Sequence, residues 1–286
     1  MAARIGKTRQ GAKMEEVFDP EVGRARGMVR RTLPEGKMRH ARRRPPRELQ
    51  PWIAHFWMIQ WDLRSCEPQL VENLPHPNVH VIFEEDGAVV SGVQTRKFSR
   101  VIEGCSQVFG VKFRAGGFRP FLGDAVSTIA DRVVPAKTVF GKDVEALRAV
   151  LISSAKEAEK LEAAGAFFLA RVPKPDKMAA LTDRLVSRIL DEPEIKTVDD
   201  LVAHAGLGKR SLQRIFNEYV GVSPKWVIRR YRLHEVMERL NSGAQPDWAQ
   251  LALELGYFDQ AHLINDFKSI LGYSPTQYQK MVAKPS

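Results

Sequence analysis

A pattern that occurs twice near the end of the chain constrains the fold more than any other feature of its 286 residues. Each copy holds a leucine-containing segment that ends in glycine, then a helix-length interval, then Gly-x-Ser-Pro; the copies span residues 201–224 and 251–275. Apolar residues of the interval align after a one-residue insertion in the second copy: Leu212 with Leu263, and Phe216 with Phe267. An internal repeat constrains the architecture of a chain more strongly than composition or single motifs do. This one predicts two helix-turn-helix units.

Capping residues set the predicted helix boundaries of this C-terminal region. The spacing makes Thr197 the N-cap of a helix that stops at Gly206, where a tight turn favours positive φ. Ser223 caps a longer helix, with proline at its first position. The apolar pattern extends this helix over residues 224–241, so that it joins the two units. Asp259 then caps the second helix of the second unit.

Short apolar segments with the alternation of β-strands dominate the region before the repeat. Trp57, Ile59 and Trp61 share one face of the first such segment. Asp86-Gly87 is a hairpin signal between two others. The strand candidates are Trp52–Trp61, Val79–Phe83, Ala88–Val93, Lys97–Ile102 and Val108–Phe113, and helices are predicted at 119–122, 141–152 and 155–171. The fold class is therefore predicted as α+β: a β-rich N-terminal domain with helices, followed by an all-α domain with two helix-turn-helix units joined by a long helix.

Two prolines within residues 172–176 mark the best domain boundary. We predict a linker at 173–176, a β-rich sensor or dimerisation domain at 45–172, and the double helix-turn-helix domain at 177–286. Residues 1–44 are predicted to form a disordered basic tail, because they are poor in apolar residues. Residues 1–47 hold 14 Lys/Arg against 5 Asp/Glu and carry almost all of the formal net charge of +10. Such an arm can add non-specific attraction to phosphates.

Several functional classes lack their sequence signals. No apolar stretch of about 18 residues and no secretion signal occurs, so the expected location is the cytoplasm, without a membrane partner. Cys66 and Cys105 stand alone, which favours two reduced thiols. There is no glycine-rich phosphate loop, nucleophile elbow or pair of carboxylates at catalytic spacing. We therefore expect a protein that is not an enzyme, with no catalytic residue and no cofactor.

The second helix of the first unit, predicted over 209–220, carries side chains suited to reading DNA. A helix-turn-helix places its second helix in the major groove, where each base pair shows a distinct pattern of donors and acceptors. Arginine can bind guanine and glutamine can bind adenine, each with two hydrogen bonds. Arg210, Gln213 and Arg214 are thus the predicted base-reading residues, and Lys209 is predicted to contact phosphate. An ordinary solvated helix face is the alternative.

The second unit presents a different set of polar residues on its second helix. Its predicted DNA-binding residues are Gln260, His262, Asn265 and Lys268. Asp266 lies among them, and an acid near phosphate is unfavourable. Base reading and backbone positioning therefore both remain open for this helix. Arginines of the long central helix are either phosphate contacts or its solvent-exposed face: Arg229, Arg230, Arg232 and Arg239.

These motifs carry a resemblance to a known family. Residues 177–286 resemble the DNA-binding domain of AraC/XylS-type transcriptional regulators, in which a rigid helix joins two helix-turn-helix units. The family's Gly-x-Ser-Pro ending followed by an aromatic occurs here at 272–278. The family often has arginine at the position of Asn265, which puts the second unit's role in sequence reading in question. The resemblance implies double-stranded DNA as partner, with a small-molecule effector, a homodimer and RNA polymerase as further partners by analogy.

Residues 45–172 also resemble an uncharacterised N-terminal domain that is often fused to such DNA-binding domains. Three segments carry this resemblance: Trp57-x-x-x-Trp61, Leu74-Pro-His-Pro77 and Gly110-Val-Lys-Phe-Arg114-Ala-Gly-Gly117. Two groups of residues could line a ligand pocket there, an aromatic group with Trp52, His55, Phe56, Trp57 and Trp61, and a polar group with Asn73, His76, His80 and Arg114. Ordinary core packing is the alternative, and the ligand-binding residues are left unassigned. His76 and His80 lack a third ligand at fitting spacing, so no metal is expected.

The function expected from the sequence is a sequence-specific DNA-binding transcriptional regulator. It would read two successive major-groove segments and be controlled through its N-terminal domain. The alternatives are a regulator without a ligand and an architectural DNA-binding protein led by the basic tail.

Overall fold

The computed structural model describes residues 15–20, 22, 27–30 and 37–282, and within them the fold is built on two β-sheets. The strands are β1 (Glu15–Phe18), β2 (Met28–Arg30), β3 (Met38–Arg43), β4 (Ile53–Asp62), β5 (Gln69–Asn73), β6 (His80–Glu84), β7 (Gly87–Ser91), β8 (Phe98–Ile102), β9 (Cys105–Phe113) and β10 (Val133–Pro135). A seven-stranded sheet has the order β1-β3-β4-β9-β6-β7-β10, and a three-stranded sheet has the order β2-β5-β8. The predicted α+β class is confirmed.

Strand β4 lies inside the larger sheet and pairs with a neighbouring strand on each side. It runs antiparallel to β9, from Ile53 opposite Phe113 to Asp62 opposite Cys105, and antiparallel to β3 on its other side. The predicted hairpin is also present, since β6 and β7 pair up to Glu84 opposite Gly87. Successive side chains of β4 point to opposite faces of the sheet, and apolar residues lie on both faces.

The two faces of β4 contact different apolar clusters. Phe56 and Met58 belong to the main core, whereas Trp61 packs in a smaller cluster on the other face together with Trp57 and Ile59. The indole of Trp57 lies directly on Gly110, where an added Cβ would stand 2.0 Å from its ring. Only glycine fits at this position of β9.

Helices follow the strands, and local sequence signals set their ends. They are α1 (Arg119–Leu122), α2 (Lys137–Phe140), α3 (Asp143–Ser153), α4 (Glu157–Leu169), α5 (Lys177–Asp191), α6 (Val198–Ala205), α7 (Lys209–Ile215), α8 (Pro224–Asn241), α9 (Trp248–Glu254), α10 (Gln260–Leu271) and α11 (Pro275–Val282). The predicted helix over 209–220 changes character, because a π-helical turn follows α7 at Phe216–Val220. None of the helices in the described ranges is long and apolar enough to cross a membrane.

One apolar core includes residues from both sides of the proposed linker at 173–176. Phe113 and Phe118 of the N-terminal part and Leu212 and Phe216 of the first repeat unit belong to the same buried cluster. A second cluster encloses the second unit and also takes in Val29 and Leu74. The division at 173–176 therefore remains a proposal about the chain, while the packing is continuous across it.

The expectation of a disordered segment at 1–44 is wrong for the part of this segment that the structure describes. Strand β3 pairs with β4 over six residues, and His40 and Ala41 are buried there. Backbone hydrogen bonds do not depend on side-chain polarity, and the arginines of β3 find an acidic partner, since Arg39 and Arg43 both pair with Glu157. Strands β1 and β2 also lie in this segment, and the rest of the predicted tail lies outside the described residues.

Candidate nucleic-acid interface

The first helix-turn-helix unit consists of α6, a tight turn and α7. The predicted N-cap is confirmed: the Thr197 hydroxyl accepts from the Asp200 amide at 3.0 Å, and the Asp200 carboxylate accepts from the Thr197 amide at 2.7 Å. The turn passes through Gly206 with φ 64°, a conformation that favours glycine. Leu212 and Phe216 are fully buried beneath α7. These contacts hold α7 rigidly with its other face in solvent.

The solvent-facing side of α7 carries all four residues predicted for this unit. Lys209, Arg210, Gln213 and Arg214 are exposed. The Lys209 ammonium pairs with Asp199 at 3.1 Å, an exposed pair that water and salt weaken. Within the described part of the chain, the side chains of the other three make no hydrogen bond or ion pair. Two guanidinium groups and one amide are thus free to bind an external partner.

The second unit consists of α9, a turn and α10, and acidic caps begin both helices. The Asp247 carboxylate accepts from the Ala249 amide at 2.9 Å, and the Asp259 carboxylate accepts from the His262 amide at 2.8 Å. Tyr257 in the turn is buried, and its ring meets the His262 imidazole edge-on with centroids 5.2 Å apart. This unit therefore has the same plan as the first with different capping chemistry.

The four residues predicted for the second unit are also exposed. Gln260, His262, Asn265 and Lys268 lie on the solvent side of α10. The set contains one permanent positive charge, compared with three in the first unit. Its hydrogen-bonding capacity comes mainly from two carboxamides, which offer donor and acceptor side by side.

Asp266 does not belong to this exposed surface. It is buried, and its carboxylate accepts two hydrogen bonds from the Arg229 guanidinium at 2.6 and 2.5 Å. The expected conflict between this acid and DNA phosphates is therefore wrong. The carboxylate instead fastens α10 to the central helix α8.

The central arginines have partners within the fold, and burial of Arg230 excludes it from both the solvent-exposed face and direct phosphate contact. Arg230 is 1% exposed, and its Nε donates to the Pro75 carbonyl at 2.8 Å. The Arg232 guanidinium lies 4.9 Å from the centre of the Tyr257 ring. Arg239 pairs with two acids of α8 and α9, Glu235 at 3.0 Å and Glu254 at 2.7 Å. A periodic sequence pattern could not reveal the Pro75 partner of Arg230, because it lies 155 residues away, whereas Glu235 is an ordinary i,i+4 neighbour of Arg239.

The polar and aromatic residues proposed for an N-terminal pocket are engaged in packing. The His80 Nδ1 accepts from the Trp57 Nε1 at 3.2 Å, and burial, with the nearby charges of Lys112 and Arg42, lowers the pKa of His80 to about 3. Burial likewise lowers the pKa of His55 far below its usual value. Both imidazoles are therefore neutral at physiological pH. These two residues do not provide polar groups to a free pocket.

Other members of the same group connect the N-terminal part to the helical region. The Arg114 guanidinium donates to the Gln50 carbonyl at 2.6 Å and pairs with Asp183 of α5 at 3.1 Å. The His76 Nδ1 lies 3.2 Å from an Arg230 nitrogen. His76 and His80 thus have different neighbours.

A different cluster has the composition of a metal site. Ligand atoms of Glu192, Glu194 and His204 lie within 4.8 Å of one another near the start of the first unit. The Glu192 carboxylate accepts from Arg188 at 2.6 Å, and the His204 Nδ1 bonds the Asp200 carbonyl at 2.7 Å. An ordinary surface ion-pair network accounts for this arrangement.

One short loop segment of the N-terminal part contacts both the joining helix α8 and the second unit. The Trp226 Nε1, at the start of α8, donates to the Thr95 carbonyl at 3.3 Å, and the Lys97 amide donates to the Ile270 carbonyl of α10 at 2.9 Å. The segment is fixed in turn by Asp131, whose carboxylate accepts from the Thr95 amide at 2.6 Å. Residues 95–97 therefore connect the start of α8, next to the first unit, with α10 of the second unit through the β-rich part of the molecule. Sequence periodicity gave no signal for this contact.

Further contacts hold each unit at the turn that follows its second helix. In the first unit, Gly221 has φ 92° and packs against Val126, where an added Cβ would meet the valine at 3.0 Å. In the second unit, the Tyr273 hydroxyl donates to the buried carboxylate of Glu72, which also pairs with Lys97. None of these contacts covers the exposed sides of α7 and α10.

Comparison with known protein families gives one match in the N-terminal part of the chain and one in the C-terminal part. Residues 201–281 match a helix-turn-helix domain, and residues 41–135 match a domain of unknown function, DUF6597. The C-terminal match agrees with the AraC-type arrangement described above, and curated relatives of this region are AraC-like regulators.

Two curated relatives illustrate the extent of this likeness. An uncharacterised HTH-type transcriptional regulator of Haemophilus influenzae is 32% identical over 96 residues, which cover 33% of this chain and 32% of the relative. The HTH-type transcriptional activator AarP of Providencia stuartii is 32% identical over 83 residues, covering 29% of this chain and 61% of the relative. The chain therefore spans about a third of the length of the first of these relatives. The solved C-terminal domain of AraT from Geobacillus stearothermophilus is 21% identical, covers 37% of this chain and 88% of that chain, and gives a TM-score of 0.33.

Proposed function

We propose that this chain, whose C-terminal region is an AraC-type helix-turn-helix domain, is a sequence-specific DNA-binding transcription regulator. The observation that carries the proposal is the exposed side of α7, where Arg210, Gln213 and Arg214 project from a helix braced by buried Leu212 and Phe216. A rigid helix with unpaired guanidinium groups is suited to the major groove. The match to known helix-turn-helix domains supports the same reading.

Each unit contributes one reading helix, and α8 joins the units. In this proposal α7 and α10 enter successive major-groove segments on one side of the DNA, about 34 Å apart along the duplex. Arg210 and Arg214 bind guanine edges, Gln213 binds an adenine edge, and Lys209 exchanges its aspartate partner for a phosphate. The binding site is therefore bipartite and covers about two helical turns.

The N-terminal part controls this reading by fixing the relative position of the units. The contacts of residues 95–97 to both Trp226 and Ile270 support this step, since they leave the reading surfaces uncovered. A change in this loop would alter the separation of α7 and α10 without blocking either helix. Control would thus change the affinity of the protein for the whole bipartite site. The affinity of each unit for its own half of the site would stay the same.

Further partners belong to the same proposal. A small-molecule effector would act through the contacts of residues 95–97, and a second copy of the chain would double the site. The relative AarP is named an activator, and by that analogy we propose activation through RNA polymerase. Competing classes are weaker here, because the relatives of this chain are named transcription regulators and are not named enzymes.

The test selects bound sequences from a random duplex pool with the full chain and then measures affinity. We expect one bipartite sequence, and Arg214→Ala should weaken its binding by about 1–3 kcal/mol while binding to random DNA changes little. Arg184→Ala removes an exposed arginine of α5 outside the reading helices and serves as the matched control. Equal weakening on selected and random DNA by Arg214→Ala would contradict sequence reading by α7. Absence of any selected sequence would contradict the proposed function itself.

A further inference from the structure

The second unit contains one turn residue more than the first. In the first unit, a single residue, Leu207, separates Gly206 from the capping position at Gly208. In the second unit, Tyr257 and Phe258 separate Gly256 from the cap Asp259. Tyr257 takes the inward place, because it is buried. Phe258 is therefore the additional residue of this turn.

Phe258 is 87% exposed, the highest value among the large apolar side chains in the described ranges. Burying a phenylalanine side chain stabilises a protein by about 1.5–3 kcal/mol, and at this position the fold obtains almost none of that. Single exposed apolar residues are common on surfaces. Phe258 differs from such scattered surface residues in two ways. It is an inserted residue next to the proposed reading helix, and the turn around it holds it in one position.

The turn around Phe258 is rigid on both sides. Before it, Gly256 adopts φ 72°, and the Tyr257 amide donates to the Ala252 carbonyl at 2.9 Å. After it, Asp259 caps α10 through the His262 amide. Phe258 is thus held at the N-terminal end of α10, the end of a recognition helix whose residues contact base edges.

The chemistry of the neighbouring side chains indicates which bases this end would meet. Gln260 and Asn265 are carboxamides, which pair with the N6 and N7 edge of adenine, and an aromatic side chain makes apolar contact with the thymine methyl group. An A·T pair offers both groups in the major groove. The first unit differs, because Arg210 and Arg214 there favour guanine.

We infer that Phe258 reads a thymine methyl group, and that the second unit recognises an A·T-rich half of the bipartite site. This inference rests on the proposed function. The first unit correspondingly recognises a half that contains guanine. The two halves of the site therefore differ in composition because the two reading surfaces differ in chemistry.

The experiment combines sequence selection with removal of single methyl groups. The full chain and its Phe258→Ala variant select duplexes from the random pool, and deoxyuridine then replaces thymine at each position of the selected second half. We expect an A·T-rich half, and one deoxyuridine that weakens binding of the original protein about fivefold, the effect of one apolar contact of this size. Phe258→Ala should weaken binding to thymine DNA by the same factor, and the deoxyuridine should then cause no further loss.

A matched control uses Leu253→Ala, which removes another exposed apolar side chain, 60% exposed on α9. This variant should keep the selected sequence and the response to deoxyuridine. Additive losses from Phe258→Ala and deoxyuridine, or a guanine-containing second half, would overturn the inference while the proposed function stands. Failure of the original chain to select any sequence would overturn the proposed function. Because Phe258 is solvated, its replacement should leave the thermal unfolding midpoint unchanged, which shows that the variant is folded.

Discussion

The two helix-turn-helix units have the same helix plan but fill one interior position in opposite ways. Ile215 of α7 and Asp266 of α10 occupy equivalent places in the alignment, and both are buried. The first is an aliphatic side chain in apolar surroundings, and the second is an acidic side chain paired with Arg229. The repeated leucines and phenylalanines therefore suffice for the shared backbone, while the position between them can be apolar or ionic.

The units also differ in how they attach to the rest of the molecule. The first unit shares the main apolar core with the β-rich part, and its Gly221 packs on Val126. The second unit has its own core, which takes in Val29 and Leu74, and it is also attached by polar contacts, among them the hydrogen bond from Tyr273 to Glu72. Apolar packing is insensitive to pH and salt, whereas charged contacts are sensitive to both. We therefore expect acid to weaken the attachment of the second unit more than that of the first.

The largest expected effect compares the buried phenylalanines of the two units. Phe216→Ala and Phe267→Ala each remove a fully buried ring and should cost about 3–5 kcal/mol. Loss at Phe216 should lower the stability of the whole molecule, since this ring belongs to the shared core. Loss at Phe267 should chiefly loosen α9 to α11. Hydrogen exchange resolved by segment measures both, and the same pattern of exchange in both variants would contradict the comparison.

The next effect concerns the ion pair that the first unit lacks. Asp266→Ala leaves the Arg229 guanidinium without its acid and should cost about 3 kcal/mol. The double variant Arg229→Met with Asp266→Leu restores apolar packing like that at Ile215, and its stability should return to within about 1 kcal/mol of the original. Urea unfolding of the single and double variants gives both values. If the double variant lost as much stability as Asp266→Ala, apolar side chains could not replace the ion pair at this position.

Acid should weaken the attachment of the second unit selectively. Burial is the largest single influence on Glu72 and disfavours its ionisation, but hydrogen bonds from Lys97, Tyr273 and Ser99 together outweigh it and lower its pKa below the usual 4.5. The stability from this contact is therefore complete above pH 4.5 and is lost as pH falls through the lower, folded-state pKa. Exchange of the Gly272 amide, which is next to Tyr273 and donates to the Lys268 carbonyl, measures it as pH falls, with the first unit's Gly221 amide as reference.

Glu72→Gln is the control for this dependence on pH. The variant should lose about 1–2 kcal/mol of the attachment at neutral pH, because a charge-assisted hydrogen bond becomes a neutral one. Its remaining attachment should no longer weaken in acid. An acid response that persists in this variant would assign the effect to another carboxylate.

Helix caps should contribute smaller and similar amounts in the two units. Thr197→Ala and Asp259→Ala each remove the side chain that accepts from a backbone amide at a helix start, and each should cost about 1 kcal/mol. Thermal unfolding measures both losses. A cost below about 0.3 kcal/mol for either variant would mean that water replaces the cap without penalty.

The smallest expected effect on stability is at the reading surfaces. Arg214→Ala and Lys268→Ala replace exposed side chains and should change the free energy of unfolding by less than about 0.5 kcal/mol. The same variants, made for the DNA experiments, can be examined by thermal unfolding. A larger loss in either would show that the residue also supports the fold.

Local signals predicted much of the helical region correctly from the sequence. Thr197 and Ser223 are the observed N-caps, and Gly206 has the left-handed conformation expected of it. These features depend on residues within one turn of each other, so a single sequence contains them. The exposure of the proposed DNA-reading residues followed from the same periodicity, and their contact with DNA remains a proposal.

Long-range partners explain what the sequence did not reveal. Strand β3 is arginine-rich, and its structure depends on pairing with β4 and on Glu157, more than a hundred residues away. Arg230 looked like a surface residue, yet its partners include Pro75. Phe258 is the opposite case, an aromatic residue that is exposed. The sequence of a short turn does not indicate whether its aromatic residue will be buried or solvated.

The core shared by the β-rich part and the first unit has a consequence for synthesis on the ribosome. Residues such as Phe113 and Phe118 meet Leu212 and Phe216 in one cluster, so the first half of the chain cannot complete its core when it emerges. N-terminal segments emerge first, at about 5–20 residues per second, and here they wait several seconds for residues near 216. During that interval the unfinished apolar surface is open to chaperones. The second unit, whose own cluster closes with Tyr278, is the last to assemble, so a prematurely terminated chain is never a complete DNA reader.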